Sequence, residues 1–197
     1  MIHVARTELQ HRFLHTGADL MFTFDADTQF DPSSATAMAK AIISGRGDVI
    51  GGAYVMSTGV RFALEYFPED LEAKRFRGFE LDGHRFIEMR AVGTGMFMAS
   101  RRAVVRMIEQ LPETRIGAKI EPRYMLFDFK RTQTEDENPV PSFRGEDFTF
   151  CDHARQVGLK VHCCTTAKTV HYVRHGYSGD MQKQLEEGGA EFDWEKE

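Results

Sequence analysis

The sequence predicts an α/β fold: a mixed, mainly parallel sheet flanked by helices, with a small antiparallel insert. Three observations lead there. Leu20-Met21-Phe22-Thr23-Phe24 is a short apolar run between Gly17 and Pro32, which reads as a strand buried on both faces. A helical pattern opened by Asp31-Pro32 and closed by Gly45 separates this run from a second apolar run at 48–55, and that order is a parallel crossover. Between Phe62 and Phe86, aromatic residues are interleaved with turn signals at Pro68 and Asp82-Gly83, which predicts short antiparallel strands beside the main sheet.

The elements follow in order. Residues 2–15 place Ile2, Ala5, Leu9 and Phe13 on one face and predict an amphipathic helix. Residues 20–24 are the central strand. The next helix runs to about Ser44, with Pro32 at its first turn. Gly93-Thr94-Gly95 leads through Met96-Phe97-Met98 into a helix from Arg101 to Leu111. Residues 112–122 read as loop, 124–129 as a short strand and 132–141 as a polar surface loop. Glu146 and Asp147 suit the start of a helix that ends at Gly158, and strands follow at 160–164 and 169–173. The domain is expected to span 1–180, with 181–197 an acidic polar tail that frays.

A chain of 197 residues with 42% hydrophobic content is long enough for one domain with its own core. The net charge of −5 gives no global field favouring nucleic acid, although Arg101, Arg102 and Arg106 form a local basic group. Cys151, Cys163 and Cys164 are odd in number and fit no zinc spacing, so they read as reduced structural thiols; adjacent Cys163 and Cys164 point to opposite faces of a strand. No run reaches transmembrane length, and the expected location is cytoplasmic.

Three polar motifs border these apolar segments. Asp25-Ala26-Asp27 closes the first strand, where open α/β sheets bind ligands. Two carboxylates so spaced repel unless a cation or proton lies close, and a hard divalent metal with a phosphate-bearing ligand satisfies them. The other motifs are Gly145-Glu146-Asp147 and Val170-His171-Tyr172. Together with Asp48-Val49-Ile50-Gly51-Gly52-Ala53-Tyr54 and Val92-Gly93-Thr94-Gly95, their order resembles a GT-A glycosyltransferase of the compact phage or bacterial kind.

The resemblance implies a metal-dependent, inverting transfer of a sugar from a nucleotide-diphosphate donor to a hydroxyl on an unknown acceptor (a glycan, a protein or a modified DNA base). It implies that Asp25, Asp27 and His171 hold Mn²⁺ or Mg²⁺, with Asp27 the more direct ligand. Asp147 would be the general base and Glu146 an orienting or second catalytic carboxylate. Arg6, Gly93, Thr94 and Gly95 would line the donor with Asp25 and Asp27. The family begins with a further nucleotide-binding strand, which residues 1–17 do not supply.

Each motif also has a plainer reading. Asp-x-Asp is common turn chemistry, and Glu146-Asp147 is common capping. His171 can be structural, with His175 a rival ligand, and the glycines can serve close packing. Arg6 can be helix surface. Two other functions remain open: a non-catalytic GT-A-like binding protein, or a haloacid-dehalogenase-like phosphatase with Asp25 as nucleophile. Such a phosphatase places Thr or Val where Gln29 stands.

Overall fold

A computed structural model describes residues 2–56, 61–117, 122–133, 141–172 and 176–195. In chain order the elements are α1 (Ile2–Leu14), β1 (Leu20–Phe24), β2 (Thr28–Phe30), α2 (Pro32–Ile43), β3 (Val49–Gly52), β4 (Leu64–Glu65), α3 (Pro68–Ala73), β5 (Arg75–Leu81), β6 (His84–Glu88), β7 (Ala91–Val92), β8 (Met96–Ser100) and α4 (Arg101–Gln110). A 3₁₀ turn (Pro112–Thr114) leads to β9 (Arg115–Ile116), β10 (Arg123–Tyr124), β11 (Lys130–Gln133), β12 (Pro141–Arg144), α5 (Glu146–Gln156), β13 (Val161–Cys164), β14 (Thr169–Tyr172), β15 (Gly176–Ser178), α6 (Met181–Glu187) and β16 (Glu191–Glu195).

The helices form where the local chemistry asks for them. The Asp31 carboxylate caps α2 by accepting from the Ser33 amide, and Ser100 does the same for α4 through the Ala103 amide. α2 turns Ala37, Met38, Ala41 and Ile42 inward at helical spacing. α5 begins with Glu146 and Asp147, where carboxylates favour the helix dipole.

The main sheet has seven strands in the order β1-β8-β3-β13-β6-β5-β16. One apolar layer packs Phe13 of α1, Ala103, Val104 and Met107 of α4, and Phe150, Cys151 and Ala154 of α5. The opposite layer packs α2 over Ile50, Phe79, Phe86, Met96 and Met98. Cys163 joins the first layer and Cys164 the second, as the strand period requires.

Several expectations need correction. α1 buries Arg6, Thr7, Gln10 and Phe13 and leaves Ile2, Ala5 and Leu9 exposed, and of residues 124–129 only Tyr124 is in a strand. The sheet is mixed, but only β3–β13 and β5–β16 pair in parallel. β1 is an edge strand, antiparallel to β8, and among the described residues it has no partner on its other side. β1 and β3 do run in the same direction, but β8 is antiparallel to both and lies between them. The hairpin β5–β6 is not an insert beside the sheet; it joins the sheet through β13. Finally, the acidic tail does not fray. α6 buries Met181, and β16 pairs with all of Arg75–Phe79 of β5, because Phe192 and Trp194 pack against the core while Glu191, Asp193 and Glu195 stay in solvent.

Arg101 ties α1 to the sheet. Its guanidinium donates to the carbonyls of Phe13 (2.8 Å), Leu14 (3.1 Å), Thr16 (2.6 Å) and Ala18 (2.7 Å). These include the last orphan acceptors of the helix, and the positive charge sits where the helix dipole favours it. Arg102 reaches Asp48 at 2.7 Å, so two of the three arginines in the supposed basic group are engaged.

Candidate functional site

The site gathers at the carboxyl end of β1. Strand alternation puts Met21, Thr23 and Asp25 towards α1. On α1, Arg6, Gln10 and Phe13 are buried at helical spacing over that face. Asp25 donates its amide to the Gly95 carbonyl (3.1 Å), which extends the β1–β8 ladder by one bond, and the chain then turns, with Thr28 donating to the Asp25 carbonyl (3.0 Å). β2 follows at once and pairs with β14, setting His171 opposite Thr28.

The predicted residues separate into three groups. Arg6, buried to 7% exposure, donates to Asp25 at 2.9 Å and to the buried Glu146 through its other terminal nitrogen. One guanidinium thus joins α1, the end of β1 and the start of α5. Arg6 is neither helix surface nor free for a ligand, and Asp25 faces it.

The second group is Asp27 and His171, with Nε2 3.5 Å from Oδ2. His171 Nδ1 lies 3.1 Å from the Val55 carbonyl, which only accepts, so Nδ1 carries a proton and donates. In the neutral ring Nε2 then keeps its lone pair towards Asp27, an arrangement common in metal-binding histidines. Among the described residues no group of three or more His, Cys, Asp or Glu side chains converges as a metal site. Asp25 is therefore not assembled with the other two. His175 lies outside the described residues.

The third group centres on Asp147, which lines a cavity of about 930 Å³ with Tyr54, Glu65, Arg90, Arg144 and His171. Burial pushes the Asp147 carboxyl up from the ordinary aspartate range. The Phe148 amide, donating at 2.8 Å, opposes the rise and the charge of Glu146 adds to it. The fold sets the two neighbours apart, with Glu146 inward on Arg6 and Asp147 in the cavity.

Tyr54 is the residue that sequence reasoning left without a role. A Cβ on Gly93 would lie 2.8 Å from its ring and hydroxyl, and one on Gly95 2.7 Å from its ring, so these glycines are required by close packing. Thr94 between them is buried. The Tyr54 ring meets His171 edge-on at 5.9 Å, and burial, with Asp147 and Asp25 nearby, raises its hydroxyl pKa far above the ordinary value. The signal was an aromatic residue directly after Gly51-Gly52-Ala53, where β3 ends.

No family model and no curated protein matches this chain. Nine solved chains do. One is the crystal structure of A197 from STIV, to which this chain is similar with a TM-score of 0.55 and 15% identity over 92% of this chain and 73% of that one. At that identity the likeness concerns the fold alone.

Proposed function

We propose that the chain is a metal-dependent glycosyltransferase of GT-A type, moving a sugar from a nucleotide-diphosphate donor to a hydroxyl acceptor with inversion. One observation supports this above the others: Asp27 lies beside His171, and His171 shares a cavity wall with the part-buried carboxylate of Asp147. Mg²⁺ and Mn²⁺ sites of this kind commonly draw one or two ligands from the protein and the rest from substrate phosphates and water. Asp27 and His171 meet that need, and Asp25, held by Arg6, shapes the turn.

When bound, the cation would neutralise diphosphate charge as the leaving group departs. The chain's own residues do the rest. Asp147 accepts the acceptor hydroxyl proton, and its raised pKa suits a base working nearer neutrality. Arg6 fixes Asp25 and Glu146 on opposite sides of the site. Tyr54 packs the glycine turn and forms part of the cavity wall.

The test is calorimetric titration of UDP- and GDP-sugars with and without Mn²⁺, on the chain and on Asp27→Ala. Binding that requires both Mn²⁺ and Asp27 supports the transferase. A second reading, a non-catalytic GT-A-like binding protein, is favoured by the Arg6–Asp25 pair, which withholds one of the two aspartates. A folded chain indifferent to Mn²⁺ and to nucleotide sugars would establish it.

A further inference from the structure

We infer that the cavity beside Asp147 takes a neutral oligosaccharide as acceptor, with Phe143 at its rim as the stacking surface. This rests on the transferase reading. Phe143 lies on β12, lines the cavity and leaves 75% of its surface exposed. Among the described residues it packs into neither apolar layer. A pyranose ring has an apolar C–H face and a rim of hydroxyls, and it suits a wall that combines an aromatic face with fixed polar groups.

Such groups are present. Glu65 accepts from Arg144 at 2.6 Å and lies 3.6 Å from Arg90, and Arg144 also holds Asp152 at 2.9 Å. The result is a carboxylate fixed between two guanidiniums, part exposed on the cavity wall, with donors and acceptors held in place. Thr132 and Ser142, paired across β11 and β12, add two hydroxyls.

The same network weighs against the other acceptors. Nucleic acid is held mainly by cations free to meet phosphates. Here Arg90 and Arg144 share Glu65, and Arg144 also meets Asp152, inside a chain of net charge −5, so of the three arginines lining the cavity two are paired and Arg61 alone faces it without a carboxylate among the described residues. A polypeptide is held by main-chain pairing or by apolar anchor pockets, whereas this wall mixes the apolar Met56, Phe62, Leu64 and Phe148 with ion pairs and hydroxyls. The volume of about 930 Å³ is at the upper end of ligand pockets, and accommodates more than one ring.

The experiment presents maltotriose, chitotriose, mannotriose and related neutral oligosaccharides to the full chain on an array, then measures the Kd of the best by calorimetry. The comparison chains are Phe143→Ala, Phe143→Trp and Asp27→Ala, with Mn²⁺-dependent nucleotide-sugar binding followed on the same samples. We expect Phe143→Ala to weaken glycan binding at least tenfold, Phe143→Trp to restore it and Asp27→Ala to leave it intact. Because Phe143 is exposed, its removal leaves the fold unchanged. No glycan bound, binding indifferent to Phe143→Ala, or an oligonucleotide or peptide taking the cavity instead would overturn the inference. Glycan binding without nucleotide-sugar binding upholds the cavity and removes the transferase reading. Nucleotide-sugar binding without glycan does the reverse.

Discussion

The two edges of the main sheet are opposites. β16 alternates Glu191, Asp193 and Glu195 with Phe192 and Trp194, so its inward residues stack on the core and its outward ones are carboxylates. An edge so charged resists pairing with another strand. β1 reads Leu-Met-Phe-Thr-Phe, with no charge along its length, and ends directly in Asp25 and Asp27. One edge closes the molecule; the other carries the polar groups of the site. Function should therefore concentrate at the β1 end and stability at the β16 end.

That division can be broken by substitution, and the largest effect should come at the site. Asp147→Asn should lower transfer by roughly 10²–10⁴-fold in a steady-state assay. The same change should raise Tm at neutral pH. The folded pKa of Asp147 lies above its unfolded value, so its ionisation costs stability as pH rises through the folded pKa. The gain from Asn should vanish below the ordinary carboxylate range, and a thermal series against pH would reveal a Tm that stays level or falls.

At the opposite edge, Trp194→Ala should cost about 2–3 kcal/mol in denaturant unfolding, from lost packing on Phe192 and the core. Binding of Mn²⁺ and nucleotide sugar by the folded fraction should be unchanged. At the β1 edge, Arg101→Ala, which removes the donors to the Leu14, Thr16 and Ala18 carbonyls and one of those to Phe13, should cost about 2 kcal/mol by the same measurement and loosen Arg6 with the helix.

A further effect is linked to pH and grows with acidity. His162 in β13 is buried, and burial holds its pKa down to about 3 against an ordinary 6.5. The unfolded chain takes up this proton first, so stability falls as pH drops from about 6.5 towards 3, by up to about 1.4 kcal/mol per pH unit. His162→Leu should flatten that part of the profile. Smallest of all, Asp193→Asn at the exposed Arg75 pair should leave the denaturant midpoint essentially unchanged, despite a 2.7 Å contact. A larger loss would mean that the β16 edge depends on its charges and not on its aromatic residues.

Local chemistry was legible in the sequence and partnership was not. α2 and α4 fall within a residue or so of expectation because Asp31, Pro32 and Ser100 act on their immediate neighbours. β1 was recognised as a strand, but a five-residue apolar run looks alike at the centre and at the edge of a sheet. The tail was misread because alternate carboxylates lower its average hydrophobicity, while period two still gives Phe192 and Trp194 a common face. At the site the residue types were visible, but the pairing of Arg6 with Glu146 spans 140 positions, and no spacing rule reaches so far. Tyr54 was quoted in a motif without a role because its partners, Gly93 and Gly95, come from a different strand connection.

The position of β13 bears on how the chain becomes a domain at all. β13 stands between β3 and β6, joining β1-β8-β3 on one side to β6-β5-β16 on the other, yet it is formed by residues 161–164. Until the ribosome has released that stretch, the nascent chain holds β1-β8-β3 and the hairpin β5–β6 as separate pieces with their inner edges bare, and β16 is still to come. Closing them brings residue 161 to residue 49 across a long loop, a slow and non-local step. Synthesis halted before β13 would leave sticky intermediates and no partial domain, so the protein should depend on chaperones during translation more than its modest size suggests.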